Sequence, residues 1–341
     1  MADDQSNLEL QSGRCLWITW ERQRRNRELA RHLNAKLIEV VIRGSRLRRY
    51  WRSTILTIQE VRARRPDVLV VQSPSVLLAL LATTVARRWC KTVVVDAHNA
   101  GIFPLEGRYA ALNAVCKAIL AFADAVIVSN AELQSRLSLP RVFVLADPLF
   151  ADPLTQHRGY CAGAGGGGEQ HNSRKVVYVT SWALDEPVAS VLGAAALLAG
   201  QCEVRITGTP RRSRLNGGAI PENVTLLGFL DESEYLAELR SADVVLVLTT
   251  RQSCLTCGAY EALSLGVPMI LSDTTALRQY FGPAATYTSN EAGGIADAVR
   301  SSLDNSVRLR QEASLARSAI DRRWSVNFRA LRSYVFGIQS N

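Results

Sequence analysis

The sequence predicts an α/β protein with two doubly wound parallel sheets. Short apolar runs alternate with helix-like segments from residue 15 to residue 145, the alternation stops near residue 151, and it starts again at residue 176. This alternation is typical of parallel sheets, whose strands are joined by helical crossovers. The chain of 341 residues is also longer than one typical domain. We therefore expect two Rossmann-like halves.

The predicted strands are the short apolar runs of the two halves. They are 15–19, 37–42, 67–71, 92–96, 125–129 and 142–145, then 176–180, 202–206, 224–227, 243–248, 269–272 and 285–287. The predicted helices are 24–33, 54–64, 76–89 and 110–123, then 187–199, 232–240, 258–265, 295–303, 307–320 and 325–336. Because such sheets bind ligands beyond the carboxyl ends of their strands, we expect a cleft where the two halves face each other.

These elements divide the chain into domains. We expect an N-terminal domain over 1–150, a linker over 151–174, a C-terminal domain over 175–320, and a closing helix within 321–341 that packs back toward the N-terminal domain. The glycine-rich composition of the linker predicts flexibility. Its glycine run, 163–168, follows no strand and lacks a Lys-Ser/Thr ending, so it does not fit a phosphate-binding loop.

Composition narrows the class of protein. Hydrophobic residues make up 48% of the chain, which is enough for two ordinary cores. No apolar run reaches 18 residues, so no membrane span is expected. The polar, acidic start predicts no secretory signal. The seven scattered cysteines predict reduced thiols and a cytoplasmic location rather than a disulfide framework.

The net charge of +9 is concentrated in the first third of the chain. Between residues 43 and 65 there are eight arginines and one acid, which favours an anionic partner: phosphate, nucleic acid or acidic lipid. Aromatic residues lie among these charges, as suits an anionic membrane surface. The residues predicted for that surface are Arg46, Arg49, Trp51 and Arg52. The alternative is a solvated basic face.

The most informative stretch follows the predicted strand 243–248. A polar turn leads into a helix that carries Glu261, a Gly266-Val-Pro268 break ends that helix, and another apolar strand follows. The two oxygens of a carboxylate can accept hydrogen bonds from the adjacent hydroxyls of a ribose. The free N–H groups and the dipole of the helix N-terminus favour a diphosphate.

This order of elements resembles the donor site of GT-B glycosyltransferases, especially the retaining, glycogen-synthase-like enzymes of family 4, or group 1. The resemblance covers most of the chain and is strongest from 224 to 281. It implies GT-B architecture and transfer of a sugar from a nucleotide-diphosphate sugar to a lipid-linked or saccharide acceptor. It also implies a role in bacterial-type polysaccharide biosynthesis, at the inner face of the plasma membrane. The nucleotide sugar is then a substrate and no cofactor is expected. No Asp-x-Asp cluster follows a strand, which predicts transfer without a metal.

The resemblance assigns Glu261 to the ribose and the turn at Phe229 and Leu230 to the nucleobase. The other residues that it places at the donor are Ser253, Cys254, Leu255, Thr256, Gly208, Arg211 and Arg251. Ser253 occupies the position of the family's first acidic residue, and a hydroxyl cannot supply a carboxylate. The segment 181–187 lacks the family's Arg and Lys, so cations for the diphosphate are expected from elsewhere. The candidates are Arg211, Arg212, Arg251, Arg24 and Arg25.

The segment Asp96-Ala-His98-Asn99 ends a predicted strand and resembles the family's Asp/Glu-x-His-Asn segment. It predicts that His98 contacts the sugar or the acceptor hydroxyl and that Asp96 acts as a base if the enzyme inverts. Asn99 and Trp20 are predicted at the acceptor. The alternative for this segment is a hydrogen-bonded loop anchor. The Cys254-x-x-Cys257 pair is compatible with a redox or metal motif, although small packing residues are the simpler interpretation.

Three other functions compete with glycosyl transfer. A nucleotide-sugar 2-epimerase shares the architecture but is expected to carry more carboxylates and histidines than this chain, which has four histidines. A nucleic-acid-binding protein would use the basic stretch, but no known nucleic-acid module is visible in the sequence. A non-catalytic partner subunit would explain the missing acid at position 253. Retention and inversion both stay open.

Overall fold

A computed structural model describes residues 15–73, 75–150, 174–211 and 219–337. Nearly all of the predicted linker, with its glycine run, lies outside these ranges, as does Arg212. The chain forms two compact units. The first unit contains residues 1–148 and 323–341, and the second unit contains residues 149–322.

The first unit is built on a six-stranded parallel sheet with the strand order β2-β1-β3-β4-β5-β6. Its strands are β1 (Cys15–Thr19), β2 (Lys36–Glu39), β3 (Val68–Ser73), β4 (Thr92–Ala97), β5 (Ala125–Val128) and β6 (Val142–Val144). The central strands are buried on both faces, which explains their continuous runs of valine, leucine and isoleucine.

The helices of the first unit cover both faces of this sheet. They are α1 (Arg24–His32), α2 (Arg46–Arg64), α3 (Val76–Thr83), α4 (Asn99–Ile102), α5 (Ala110–Ala121) and α6 (Ala131–Leu137). One core contains side chains of α2, α3, α5 and α6. The other core contains side chains of α1 and of the chain's last residues, among them Trp324 and Leu331.

The second unit repeats the plan with the strand order β12-β11-β10-β7-β8-β9, again fully parallel. Its strands are β7 (Arg174–Tyr178), β8 (Cys202–Thr207), β9 (Val224–Gly228), β10 (Val244–Val247), β11 (Met269–Ser272) and β12 (Ala285–Thr288). Its helices are α7 (Val188–Leu197), α8 (Glu232–Arg240), α9 (Cys257–Leu265), α10 (Thr275–Phe281) and α11 (Ala292–Asp304). The last helix, α12 (Ser306–Phe336), contributes residues to both units.

Several helices differ from the sequence prediction. The helix predicted over 76–89 ends at Thr83 and a separate 3-10 turn follows, and the predicted ranges include no helix at α4, α6 or α10. Helix α2 begins at Arg46 rather than at residue 54, so the basic segment is helical, and only Ser53, Thr57 and Val61 of this helix are buried. Helix α12 is continuous, where two helices were predicted. Within the described ranges, none of the helices is both long enough and apolar enough to cross a membrane.

Candidate active site

The second unit contains a cavity of about 810 Å³ at the carboxyl ends of its strands. The residues that follow β7, β8, β9 and β10 line it, together with the start of α9. Six of its lining residues are Thr180, Asp185, Gly208, Phe229, Tyr235 and Glu261. This is the place where parallel sheets bind ligands, because the turns after neighbouring strands converge there.

Helix α9 presents its N-terminus to this cavity. Leu255 and Thr256 precede its first residue, Cys257, and all three line the cavity. Gly258, in the first turn, lies so close to the sheet that a Cβ atom there would be 2.9 Å from Val179 Cγ1. A glycine at this position therefore lets the helix start against the strand ends. The free N–H groups of such a helix start attract anions.

Glu261 lies one turn into α9, and its side chain is half-buried in the cavity wall. Tyr235, from α8, donates a hydrogen bond of 2.6 Å from its hydroxyl to Glu261 Oε2. This bond holds the carboxylate in one orientation. Helix α8 is itself fixed by a capping box, in which Asp231 accepts from the Glu234 N–H and the Glu234 side chain accepts from the Asp231 N–H.

The turn after β8 depends on a glycine. Gly208 has φ +80°, and a Cβ atom there would overlap the carbonyl oxygen of Thr180. Trp182 lies against Gly208, is fully buried, and donates from its indole Nε1 to the Thr207 carbonyl at 3.0 Å. Trp182 also has φ +61°, an uncommon value for a residue with a side chain. The loop 181–187 is therefore held by side-chain packing rather than by regular structure.

The cavity is richer in negative than in positive charge. Of its described lining residues, Asp185, Glu186 and Glu261 are acidic and Arg211 is the one basic residue. Glu186 accepts hydrogen bonds from the backbone N–H groups of Ser181 (3.0 Å) and Ala183 (2.8 Å) and from the Thr180 hydroxyl (2.6 Å). A carboxylate of the protein thus occupies an anion-binding turn in the loop where the family would place Arg and Lys.

The structure brings most of the predicted donor residues together. Eight of them line the cavity: Glu261, Cys254, Leu255, Thr256, Gly208, Arg211, Phe229 and Leu230. Phe229 is 84% exposed at its rim. Arg251 is not a lining residue, and its Nε lies 3.3 Å from Asp185 Oδ2, which does line the cavity. Ser253 does not fit its predicted role, because it is buried and does not line the cavity.

In the first unit, Asp96 is held by a buried arginine. Arg25 donates from Nε to Asp96 Oδ2 (3.0 Å) and from Nη2 to Asp96 Oδ1 (2.7 Å), and its Nη1 contacts Asp147. Burial alone would raise the pKa of Asp96, but the charge and hydrogen bonds of its polar neighbours, Arg25 above all, together outweigh burial and hold this pKa well below its usual range. A carboxylate so strongly stabilised in its charged form is a weak base, so this geometry does not support the catalytic role predicted for Asp96. Arg25 is likewise engaged here and does not fit its predicted role at a diphosphate.

His98 lies at the edge of the same cluster, and its ring is 29% exposed. The Gln72 amide nitrogen is 3.0 Å from His98 Nε2, and Asp96 Oδ2 is 3.4 Å from the same ring nitrogen. Gln72 is buried on β3, where its backbone is in register with Asp96 on β4. The register of the parallel sheet therefore places the polar residues Gln72 and Asp96 side by side on neighbouring strands.

The other predicted acceptor and membrane residues occupy several different positions in the first unit. Trp20 and Arg49 line a small cavity of about 90 Å³, and Trp20 donates to the Thr57 hydroxyl. Asn99 is the first residue of α4 and is half-buried. Arg46, Trp51 and Arg52 are exposed on α2.

Several site residues were missed from the sequence. Tyr235, Glu186 and Thr180 belong to the cavity, and Gln72 and Asn26 belong to the buried polar cluster. Tyr235 and Asn26 lie on helices whose patterns are ordinary. The only available signal was the polar residue Gln72 inside the apolar strand β3. Among the described residues, no group of three or more His, Cys, Asp or Glu side chains is placed to hold a metal ion.

The part of the chain that contains the cavity matches a known protein family. Residues 173–305 match the family model described as "Glycosyl transferases group 1". The resemblance to group 1 glycosyltransferases is confirmed. The matched stretch runs from just before β7 to the end of α11 and so contains every element that lines the cavity. No curated protein sequence matched this chain.

Solved structures share the fold over nearly the whole chain. HepE from Anabaena, in complex with UDP-glucose, is 13% identical over 94% of this chain and 92% of that one, with a TM-score of 0.68. Sucrose-phosphate synthase from Thermosynechococcus elongatus is 17% identical over 89% and 82%, with a TM-score of 0.64. A putative UDP-N-acetylglucosamine 2-epimerase from Listeria monocytogenes is 13% identical over 96% and 98%, with a TM-score of 0.59. The predicted GT-B fold is confirmed.

Proposed function

We propose that this protein is a glycosyltransferase that moves a sugar from a nucleoside diphosphate sugar to a saccharide or lipid-linked acceptor. The observation that carries the proposal is the position of Glu261, whose carboxylate is fixed by Tyr235 in a cavity of about 810 Å³ beside a helix N-terminus. Such a cavity is large enough for a nucleotide sugar, which needs a few placed polar groups and apolar surface.

Each part of a nucleotide has a matching feature in the cavity. The carboxylate of Glu261 can accept hydrogen bonds from ribose hydroxyls. The start of α9 and Arg211 can hold the diphosphate. The exposed ring of Phe229 can stack on a base. HepE, which has this fold, was solved with UDP-glucose, and we propose a uridine nucleotide as the first donor to test.

We propose an anionic membrane as the surface on which the acceptor is met. Helix α2 exposes Arg46, Arg48, Arg49 and Arg52 together with Leu47 and Trp51, which are 85% and 69% exposed. Helices α3 and α5, which cover the same face of the sheet as α2, also expose apolar side chains: Leu77, Leu80, Leu112 and Val115. Arginines draw a protein to acidic headgroups, and apolar side chains enter the interface.

The compartment and the chemistry follow as parts of the same proposal. The six described cysteines are all free, which suits a reducing cytoplasm and hence the inner face of a plasma membrane. A polysaccharide under assembly on a lipid carrier would provide the acceptor there. Transfer would need no metal ion if the helix N-terminus and arginines neutralise the leaving diphosphate.

Glu261→Gln tests the donor site. The glutamine keeps the size of the side chain and an oxygen for the Tyr235 hydroxyl, but it loses the charge. We expect the Kd of UDP, measured by calorimetry, to rise about 10-fold to 100-fold, since hydrogen bonds to charged groups contribute about 1.5–3 kcal/mol. Glu222→Gln, on the exposed surface of the second unit, is the matched control. Unchanged UDP affinity in a folded Glu261→Gln protein would remove the ribose assignment.

Turnover separates the competing functions. A panel of nucleoside diphosphate sugars with and without EDTA, followed by release of the nucleoside diphosphate, should identify one donor with activity that EDTA leaves unchanged. Conversion of one nucleotide sugar into its epimer would indicate the epimerase instead. Binding without either reaction would indicate a non-catalytic subunit.

Vesicle binding tests the membrane surface. Replacing Arg46, Arg48, Arg49 and Arg52 with Gln should abolish cosedimentation with phosphatidylglycerol vesicles. The control replaces the same number of exposed arginines on α12, namely Arg308, Arg322, Arg323 and Arg329. Equal losses in both proteins would mean that only net charge matters and would contradict a specific membrane surface.

A further inference from the structure

The hydrogen bonds of the buried cluster in the first unit run in one fixed donor-to-acceptor direction, because one member of the cluster is an indole N–H, which cannot accept. Trp17, fully buried on β1, donates from its indole Nε1 to Asn26 Oδ1 at 3.1 Å. An indole N–H can only donate. The Asn26 side chain must therefore present its oxygen to Trp17 and its amide nitrogen to the other side.

The orientation of the Asn26 amide in turn fixes the orientation of the Gln72 amide. Asn26 donates from Nδ2 to Gln72 Oε1 at 2.7 Å, and the Thr19 hydroxyl donates to the same oxygen at 2.7 Å. With its oxygen so engaged, Gln72 turns its amide nitrogen outward. That nitrogen donates to Gln23 Oε1 at 2.6 Å and lies 3.0 Å from His98 Nε2. A flipped Gln72 would place its N–H groups against the Asn26 amide, where two donors would meet.

Gln72 therefore requires an acceptor at His98 Nε2. Asp96 Oδ2, at 3.4 Å, is the only other polar atom recorded at this ring nitrogen within the described residues. Both Asp96 oxygens already accept hydrogen bonds from Arg25, so Asp96 has partners without the histidine. A proton on Nε2 would leave the nearer neighbour, the Gln72 amide nitrogen at 3.0 Å, facing another donor. A lone pair on Nε2 gives Gln72 an acceptor at the shorter of the two distances.

We propose that Trp17, Asn26 and Gln72 are positioning residues that keep a lone pair on His98 Nε2 and the ring proton on Nδ1. In this tautomer His98 cannot take a proton through Nε2, which is occupied, and it acts as a hydrogen-bond donor through Nδ1–H. The ring is partly exposed, so a ligand oxygen can reach it. The consequence for catalysis rests on the proposed function: His98 donates to a hydroxyl or leaving oxygen of the sugar and is not the general base.

The tautomer can be measured without any substrate. Long-range ¹H–¹⁵N spectra of the full chain with labelled histidine distinguish a protonated ring nitrogen from one with a lone pair, and His98→Gln assigns the signals. We expect a proton on Nδ1 and a lone pair on Nε2 at neutral pH. A proton on Nε2, or a doubly protonated ring, would overturn the proposal.

Gln72→Glu replaces the hydrogen-bond donor that faces His98 Nε2 with an acceptor. Its carboxylate can accept from Asn26 and Thr19 but has no N–H for His98, so the His98 proton should move to Nε2. If transfer uses Nδ1–H, kcat should fall about 100-fold while the KM for the donor changes little, which is typical of losing one donor to a developing charge. Gln59→Glu, exposed on α2, is the control for the added charge and should change neither readout.

Trp17→Phe covers the case in which Gln72→Glu does not fold. It removes the fixed donor without adding charge, so both amide orientations become possible and His98 should show a mixture of tautomers. An unchanged His98 spectrum in a folded Trp17→Phe protein would overturn the proposed positioning of His98. If the spectra behave as expected but no sugar transfer is found, the positioning of His98 stands and glycosyl transfer fails, so the two proposals are judged separately.

Discussion

The two units place polar groups at the carboxyl ends of their sheets in opposite ways. In the second unit these groups surround an open cavity, and the turns that carry them are fixed by backbone features such as Gly208 and the start of α9. In the first unit they bond to one another, and the side chains of Arg25, Asn26, Gln72 and Asp96 are all buried. The same architecture thus supports one site shaped for a ligand and one cluster organised in advance.

This difference shows what a substitution should do in each place. A change in the first unit should mainly cost stability, because a buried network leaves groups without partners when one member is removed. Replacement of a polar side chain in the cavity of the second unit should mainly alter ligand affinity, because these groups face the space that a ligand would fill. The predictions below test that contrast.

The largest effect is expected for Asp96→Asn. The amide would leave the buried guanidinium of Arg25 with one carboxylate partner, Asp147, instead of two. We expect a loss of about 3 kcal/mol in the free energy of unfolding, measured by urea and circular dichroism. The exposed Asp297→Asn is the control and should cost less than about 0.5 kcal/mol. The affinity for UDP should stay unchanged, and a fall in that affinity would contradict the separation of the two sites.

The ion pair between Asp96 and Arg25 should also make the stability of the protein depend on pH. Because the pKa of Asp96 is lower in the folded protein than in the unfolded chain, its contribution is complete above the ordinary carboxyl pKa of about 4. Stability should fall as the pH decreases below that value, when the unfolded chain takes up the proton first. Unfolding curves of the natural protein and of Asp96→Asn should therefore approach each other at acid pH. A constant difference between pH 7 and pH 3 would show that Asp96 contributes nothing as an ion.

Gly208→Ala should have the next largest effect. The added methyl group would overlap the Thr180 carbonyl and would also require a positive φ for alanine. We expect a loss of about 2 kcal/mol in stability, with weaker UDP binding since the turn lines the cavity. Gly200→Ala isolates the cost of φ alone, because Gly200 has φ +74° and open space around it. Equal effects of the two substitutions would mean that the contact with Thr180 is unimportant.

The smallest effect is expected for Glu186→Gln. This change removes one negative charge from the cavity wall and keeps an oxygen for the N–H groups of Ser181 and Ala183. UDP should bind about threefold more tightly, because a half-buried like charge at several ångströms from the ligand, in contact with water, costs about 1 kcal/mol. The gain should shrink at high salt. Weaker binding would mean that the carboxylate itself contacts the ligand.

The strands and most helices could be predicted because their residues repeat an apolar pattern. The apolar pattern did not predict the start of α2, because the first turns of this helix are rich in exposed arginines. Only Ser53, Thr57 and Val61 of the helix are buried. The pattern also failed in α12, where no proline or glycine breaks the helix near residue 322 but the apolar repeat weakens. Local sequence signals cannot show how far a mainly exposed helix continues.

The cavity was partly predictable and the buried cluster was not. Glu261 and the turn at Phe229 follow strands in a recognisable order, so their convergence could be predicted from the order alone. The bond between Arg25 and Asp96 joins residues that are 71 positions apart, and nothing local indicates it. That pairing depends on the register of the sheet, which only the folded structure provides. The sequence therefore could not show that the carboxylate predicted as a base is paired with a buried arginine.

Trp182 gives the second unit an optical property of its own. Of the six tryptophans in the chain, it is the one whose number falls within residues 149–322. Its indole ring is excluded from water, and its only recorded polar contact is the carbonyl of Thr207, which lines the cavity. The emission wavelength of an indole depends on the electric field of nearby polar groups, so a ligand in the cavity should shift the fluorescence emission maximum of Trp182. With phenylalanine at the other tryptophan positions, the chain would report the filling of its own cavity without a label.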